Sequence, residues 1–165
     1  MDVIVEPLST HPDLIGVVAG WHFAEWGHTD PGGTAAGWAE GLARQAGAGQ
    51  PPGTLVAHAG GEPAAAVCLV PQDMPGYPPA AGLTPWNKGL YVVPASRRQG
   101  LGRLLVRRCE EWAASLGHAE VYLFTLTGSA AQALYRGLGW RDIHEGRYDG
   151  EDITIMRTDL PVSGR

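Results

Sequence analysis

The feature that most constrains the fold is a strand-like run followed closely by the longest helical pattern of the chain. Trp86–Val93 is rich in aliphatic and aromatic residues and is stopped by Pro94. From about Gly100 to Leu116, apolar side chains recur with helical spacing, and Gly117 ends the pattern. Because such a helix must bury its apolar face against the sheet that contains the strand, the sequence predicts a layered α/β domain.

The remaining segments continue this alternation of strands and helices. Further strands are predicted at Val3–Glu6, Thr54–Ala59, Ala64–Val70 and Val121–Thr125, with a final hairpin of Trp140–Arg147 and Asp152–Thr158 around Tyr148–Asp149–Gly150. Further helices are predicted from a cap at Asp13 to about Trp26, from Thr34 to an Ala-Gly loop at 46–53, and over Ala130–Leu138. Residues 71–85 carry five prolines, which favours irregular structure. We expect a single domain over residues 1–165, with a mixed sheet and helices on its faces.

Composition and charge argue against several classes of protein. The 165 residues are 44% hydrophobic and 18% charged, which is typical of a soluble globular chain. The net charge of −5 argues against a nucleic-acid partner, and no apolar run approaches the roughly 20 residues that span a membrane. The N-terminus lacks the features of a secretory signal, and both cysteines are expected to be buried free thiols, so we expect a cytoplasmic protein. The six histidines show no ligand spacing, so we expect no metal site.

The chemistry begins in the turn Arg97–Gly102, which places two glycines where the strand gives way to the helix. At a helix N-terminus the first N–H groups lack partners, and the helix dipole favours an anion. Glycine lets the backbone approach that anion, and the neighbouring arginines add charge. The pattern lacks the Gly-Lys-Ser/Thr ending of a P-loop and the third glycine of a dinucleotide site. An ordinary helix start would also explain a lone Gly-x-Gly, so both interpretations stay open at this point.

Two motifs together resemble those of one known family. Leu90–Leu105 contains Val-Val-Pro and then Arg-Arg-Gln-Gly-Leu-Gly, and it is similar to the cofactor motif of the GNAT superfamily of N-acetyltransferases. Ala131–Trp140, with Tyr135 followed by Leu-Gly-Trp, is similar to the second signature of that family. The resemblance covers nearly the whole chain. It implies the GNAT fold, a mixed and mostly antiparallel sheet of six to seven strands with about four helices, in which Trp86–Val93 and Val121–Thr125 are splayed parallel strands.

The resemblance implies acetyl-coenzyme A as the co-substrate. Its pantetheine arm would lie between the splayed strands, and the amides from Arg98 to Arg103 would hold its pyrophosphate. Many relatives have an asparagine at the position of Gly128, and Ser129 is our candidate for that contact. The residues that we assign to the cofactor are Leu90, Tyr91, Val92, Arg97, Arg98, Gln99, Gly100, Leu101, Gly102, Arg103, Ser129 and Tyr135.

The resemblance also implies direct attack by an amine in a ternary complex, without a covalent acyl-enzyme. Tyr135 matches the usual general acid, which protonates the departing thiolate, and a packed core tyrosine is the alternative. The glutamate base of many relatives is missing from Val121–Thr125. Glu25, Asp73 and His28 are our candidates for the base, although each is also explained as an ordinary exposed side chain.

The acceptor is expected to be a small-molecule amine. The first 90 residues hold eight acidic and two basic side chains, a net charge of −6, and tryptophans at 26, 38 and 86 fall near the expected acceptor side. Aromatic walls and negative charge suit a cationic amine, which we expect Trp26, His28 and Trp86 to bind. A peptide or protein amine is the runner-up, and a non-catalytic acetyl-coenzyme A sensor is a further alternative. We expect residues 71–85 to form a lid over this site, and a homodimer through the final hairpin stays open.

Overall fold

Seven strands and four helices follow one another in residues 2–46 and 50–161, the part of the chain that the computed structural model describes. The strands are β1 (Val3–Pro7), β2 (Gly53–Ala59), β3 (Glu62–Val70), β4 (Trp86–Val92), β5 (Glu120–Leu126), β6 (Arg141–Tyr148) and β7 (Glu151–Asp159). The helices are α1 (Ile15–Trp26), α2 (Ala35–Arg44), α3 (Leu101–Ser115) and α4 (Ala130–Gly137). All the predicted elements are present, with ends shifted by a few residues. None of the helices in these two ranges is long and apolar enough to cross a membrane.

The strands form one sheet in the order β1-β2-β3-β4-β5-β7-β6. Neighbouring strands are antiparallel except for β4 and β5, which are parallel. The predicted mixed and mostly antiparallel sheet is therefore confirmed, and its one parallel pair lies at the centre.

Strand β3 shows why helices cover both faces of the sheet. Its residues from Ala64 to Val70 are all buried, and successive side chains point to opposite faces. Leu69 belongs to the core that includes Leu105 of α3, whereas Cys68 belongs to the core that includes Val18 of α1. Both cysteines are buried free thiols, as predicted.

The two parallel strands separate after a single paired position, Trp86 with Tyr122. In β4, Gly89 and Leu90 together oppose one residue of β3, so β4 carries a β-bulge at this point. Gly89 has a φ of +68°, a conformation that glycine adopts at the least cost. Because the bulge bends β4 locally, it marks where the strand leaves its neighbour and a cleft begins.

Two of the four helices in the described residues begin with a side-chain cap. Thr34 Oγ1 accepts a hydrogen bond of 3.0 Å from the N–H of Gly37, and Ser129 Oγ accepts one of 3.2 Å from the N–H of Gln132. The predicted cap at Asp13 is wrong. Asp13 lies within the second of two 3₁₀ turns, Leu8–Thr10 and Pro12–Leu14, and α1 begins after them without a side-chain cap. Of the loop predicted at 46–53, residues 47–49 lie outside the described residues.

The proline-rich connection 71–85 is packed against the domain. Apart from a 3₁₀ turn at Pro78–Ala80, it has no helix or strand, which agrees with the prediction. Gln72 Oε1 accepts hydrogen bonds of 2.8 and 2.9 Å from the N–H groups of Asp73 and Met74. Met74 and Ala80 are fully buried, so this segment contributes to the core beside α1.

Candidate active site

A cleft of about 370 Å³ lies beside β4 beyond its bulge, between the end of α1, the start of α3 and the start of α4. The two sequence motifs that contribute to it, Leu90–Leu105 and Ala131–Trp140, are more than twenty residues apart in the chain. The lining residues are Glu25, Trp26, Leu90, Tyr91, Val92, Arg97, Gly102, Ala130, Ala131 and Leu134. The structure therefore brings seven of the sequence-predicted site residues together in one cleft.

The turn before α3 presents a row of free backbone donors at one end of this cleft. Among the described residues, the N–H groups from Arg98 to Arg103 have no hydrogen-bond acceptor. Arg98 and Gly100 have φ values of +62° and +84°, which turn the backbone sharply at the start of the helix. Arg97, Arg98 and Arg103 are exposed beside these donors. Free amides, positive charge and a helix N-terminus suit a diphosphate, so these residues fit the cofactor that the motif implies.

Two neighbouring contacts fix the position of the turn. Arg97 Nε donates a hydrogen bond of 2.8 Å to the carbonyl of Val92, and its guanidinium lies 5.6 Å from the centre of the Tyr91 ring. Leu101 is buried beneath the turn in the core below α3. The backbone of the turn is thus anchored while its amides stay accessible.

His22, in the middle of α1, supports the bulge of β4. Its Nε2 lies 3.0 Å from the carbonyl oxygen of Gly89, and a Cβ at position 89 would come within 3.2 Å of the imidazole. Burial lowers the pKa of His22 to about 4, which keeps the ring neutral at physiological pH, and its neutral N–H can then donate to that carbonyl. Sequence reasoning gave His22 no role at the site. A glycine inside the β4 pattern was the available signal for close packing here.

Trp26 and Glu25 bring the end of α1 to the cleft. The Trp26 ring meets the Tyr91 ring edge-on at 6.4 Å, and Trp21 stacks on the same tyrosine at 5.7 Å. Glu25 is exposed in the cleft. His28 lies in the following 3₁₀ turn, where it is exposed and does not line the cleft.

Tyr135 lies in α4, next to the cleft-lining Leu134, and it is 6% exposed. Its ring packs at 5.7 Å from the ring of Trp140, and its hydroxyl makes no hydrogen bond within the described residues. Burial and the neighbouring Cys109 raise the pKa of the phenol, so it stays protonated at neutral pH. Ser129, besides capping α4, lies 3.3 Å from the hydroxyl of Thr125.

Asp73 lies in the 71–85 connection against β4. Its Oδ1 is 3.4 Å from Lys88 Nζ, and its side chain is only 11% exposed. Burial raises the pKa of Asp73 to about 6, and the charge of Lys88 opposes part of that rise. Asp73 is therefore ionised at neutral pH but can take up a proton easily. It does not line the cleft of β4, because Lys88 precedes the bulge.

A polar and aromatic cluster joins the 71–85 connection to the final hairpin. Tyr77 Oη lies 2.9 Å from His144 Nε2, and its ring lies 5.4 Å from that of Tyr148. Tyr148 in turn meets Phe124 of β5 at 5.6 Å, and the charge of Asp73 contributes to the raised pKa of Tyr148, after burial and Asp149. Sequence reasoning named neither Lys88 nor this cluster, because its members come from three separate segments.

Two tryptophans expected near the acceptor are engaged elsewhere in the fold. Trp86 is fully buried, and its Nε1 donates a hydrogen bond of 2.7 Å to the carbonyl of Leu83. Trp38 packs edge-on against Phe23, and its Nε1 donates to Asp30 Oδ2 at 2.9 Å. In this structure Trp86 is a core residue at the point where β4 leaves β5, and it presents no open aromatic wall.

Comparison with known proteins places these observations in context. The model of the acetyltransferase (GNAT) family matches residues 18–140. Aminoglycoside N(6')-acetyltransferase type 1 from Klebsiella aerogenes is 37% identical over 68 residues, which are 41% of this chain and 45% of that protein. The chain thus matches slightly less than half the length of this curated relative.

Solved structures share the fold over almost the whole chain. An aminoglycoside 6'-N-acetyltransferase complexed with coenzyme A has a TM-score of 0.73 and 16% identity, and the match covers 98% of both chains. Ard1 from Thermoplasma volcanium also has a TM-score of 0.73, with 15% identity and coverage of 98% of this chain and 99% of the other. At these identities the likeness concerns the fold.

Proposed function

Because this chain belongs to the acetyltransferase (GNAT) family, we propose that it transfers the acetyl group of acetyl-coenzyme A to a primary amine of a small molecule, by direct attack in a ternary complex. The observation that carries the proposal is the cleft beside β4, where the free amides of Arg98–Arg103 lie at one end. The bound thioester supplies an activated acetyl group. The chain holds the amine next to the thioester, accepts a proton from the amine and donates one to the departing thiolate.

Asp73 is our candidate for the base. A primary amine has a pKa near 10 and arrives as an ammonium ion, which a carboxylate attracts and must deprotonate before attack. With its pKa raised to about 6, Asp73 is charged at neutral pH and close enough to neutrality to exchange a proton. Lys88 holds the carboxylate in place through the 3.4 Å contact. Glu25, in the cleft itself, is assigned to attracting the cationic acceptor.

Tyr135 is our candidate for the acid. A thiolate leaves more readily when a proton reaches it, and the phenol of Tyr135 keeps its proton because burial raises its pKa. The tyrosine follows Leu134, a wall of the cleft, on the helix that Ser129 caps. We therefore assign acid and base to opposite sides of the splayed strands.

A small acceptor suits the 71–85 connection better than a peptide does. This segment contacts the hairpin through Tyr77 and His144, and its residues Met74 and Ala80 are fully buried, so it is packed against the domain. Aromatic rings at Trp26 and Tyr91 provide surfaces for a cation. The relative from Klebsiella aerogenes is named for an aminoglycoside, a molecule with several primary amines, which supports the same class.

The test is a free-thiol release assay with acetyl-coenzyme A and a panel of amines. The panel contains polyamines, amino acids, aminoglycosides and short peptides with free N-termini. We expect release that depends on one of the small-molecule classes. Release only with peptides would replace the small-molecule proposal, and cofactor binding without release for any acceptor would favour a sensor.

A further inference from the structure

Three side chains of types that can bind a metal ion meet at the edge of the sheet, away from the central strands that border the cleft. The register of β1 and β2 pairs Ile4 with His58. Glu6 lies two residues after Ile4, and side chains two residues apart share a face of a strand. The pairing therefore brings the carboxylate of Glu6 and the imidazole of His58 to the same face of the same edge.

A third ligand reaches this edge from the segment between β1 and α1. The two 3₁₀ turns fold this segment back over β1, anchored by the fully buried Leu8, whose carbonyl accepts a hydrogen bond of 2.9 Å from the N–H of His11. His11 Nε2 then contacts Glu6 Oε2, and the ring of His11 lies 5.0 Å from the ring of His58. One ligand atom from each of the three residues lies within 4.8 Å of the other two.

An ion pair between His11 and Glu6 accounts for only two of these three side chains. Two imidazoles and one carboxylate are a donor set that suits late divalent transition metals, Zn²⁺ in particular. A tetrahedral zinc site has metal–ligand bonds of about 2.0–2.2 Å and accepts water as a fourth ligand. The side chains of His11 and Glu6 are 33% and 41% exposed, so an ion can enter from solvent and keep a bound water.

We propose that Glu6, His11 and His58 form a binding site for a divalent transition metal ion, with Zn²⁺ as the best match to the donors. The ion ties the segment that leads into α1 to the edge of the sheet. Its role is structural, because none of the three ligands lines the cleft beside β4. The site is independent of the proposed acetyl transfer.

The test uses zinc sulfate alone and tag-free protein, since an affinity tag of histidines would bind the metal itself. Isothermal titration calorimetry should show one equivalent of Zn²⁺ per chain, and zinc should raise the thermal unfolding midpoint. His58→Gln and His11→Gln should each weaken binding by about tenfold or more, because each removes a direct ligand. His118→Gln is the matched control, since His118 belongs to no such group in the described residues, and its affinity should equal that of the wild type.

The proposal is overturned if no stoichiometric uptake occurs, or if uptake persists unchanged in both histidine variants. If His58→Gln does not fold, His11→Gln in the 3₁₀ segment and Glu6→Gln decide the question. Circular dichroism confirms that each variant is folded. Thiol release should be the same with and without a chelator, so this outcome is separate from the test of acetyl transfer.

Discussion

The two ends of the site are built in different ways. At the cofactor end, one stretch of six residues, Arg97–Gly102, supplies the turn, the glycines and the free amides. At the proposed acceptor end, Asp73, Lys88, Tyr77 and His144 come from the 71–85 connection, β4 and β6. The cofactor end uses backbone donors that any residue with suitable φ and ψ can offer. The acceptor end uses particular side chains.

This difference predicts how substitutions act. A change at the proposed acceptor end should reduce turnover and leave cofactor affinity intact, because we assign cofactor binding to backbone groups elsewhere. A change of backbone conformation at the turn should do the reverse. Four variants test this separation, from the largest expected effect to the smallest.

Asp73→Asn should give the largest loss. Removing a general base typically costs 10²–10⁴-fold in rate, so we expect thiol release at saturating acetyl-coenzyme A to fall by about that range. Wild-type kcat/KM should decline below about pH 6, where Asp73 becomes protonated. The pH profile of the variant should lack this decline. Affinity for acetyl-coenzyme A should stay unchanged by calorimetry. Asp13→Asn, at an exposed position, is the control, and an equal loss in both variants would contradict the assignment.

The same substitution should stabilise the fold near neutral pH. Because burial raises the pKa of Asp73 to about 6, the native state keeps a proton that the unfolded chain has already lost. The protonated carboxyl contributes fully to the free energy of unfolding below the pKa of the unfolded state. This contribution is lost as the pH rises through about 6. Urea unfolding should show Asp73→Asn to be more stable by about 1–3 kcal/mol at neutral pH, with no gain near pH 4. If the variant and the wild type were equally stable at both pH values, burial would not disfavour the ionised carboxylate of Asp73.

Tyr135→Phe should lower kcat by about a hundredfold at constant acceptor KM, because it removes the proposed proton donor. The hydroxyl makes no hydrogen bond in the described residues, so the fold should tolerate the change. Tyr122→Phe, which removes a hydroxyl bonded to Glu120 at the far end of β5, is the matched control. If turnover of Tyr135→Phe were unchanged over a range of pH, Tyr135 would have a packing role and no role in proton transfer.

Gly100→Ala tests the cofactor end. Position 100 has a φ of +84°, so an added Cβ strains the turn although no other atom lies within 4 Å of it. We expect acetyl-coenzyme A to bind about tenfold more weakly, equivalent to roughly 1.4 kcal/mol, with an unchanged acceptor KM. Gly16→Ala in α1 is the control, because its added methyl group meets open space and its φ is not positive. A tenfold change in the acceptor KM would contradict the expected separation, because it would show that the turn also affects acceptor binding.

Tyr77→Phe should give the smallest effect. It removes the contact with His144 Nε2, and a single hydrogen bond contributes about 0.5–1.5 kcal/mol. If the 71–85 connection covers the acceptor, its KM should rise by a few fold while cofactor affinity is constant. Steady-state kinetics against both substrates measures this. An unaltered acceptor KM would count against a lid role for the connection.

Local signals in the sequence were sufficient to predict the strands and helices and the turn that precedes α3. Thr34 caps α2 as predicted, and the Tyr148–Asp149–Gly150 turn connects β6 to β7. The family, its enzyme class and its acetyl-coenzyme A co-substrate are likewise confirmed at the level of the family. The predicted cap at Asp13 was wrong because the residues around a helix cap and around a 3₁₀ turn are of similar types.

Contacts between distant segments were outside the reach of these signals. His22 and Gly89 are 67 residues apart, as are Tyr77 and His144, and neither spacing has a periodicity that a sequence displays. The histidines of the proposed metal site seemed scattered for the same reason, since only the pairing of β1 with β2 brings His58 to Glu6. Trp86 was expected at an open wall, but its burial depends on how the 71–85 connection packs.

The sequence alone determined the order of strands and helices, the turn that offers its amides to an anion, and the family. These follow from propensities and spacings over a few residues, where the physical causes are local. Only the tertiary structure decided the separation of β4 from β5, the burial that raises the pKa of Asp73, and the meeting of Glu6, His11 and His58. Burial and electrostatic coupling depend on which surfaces are packed together, so they arise only when the chain is folded.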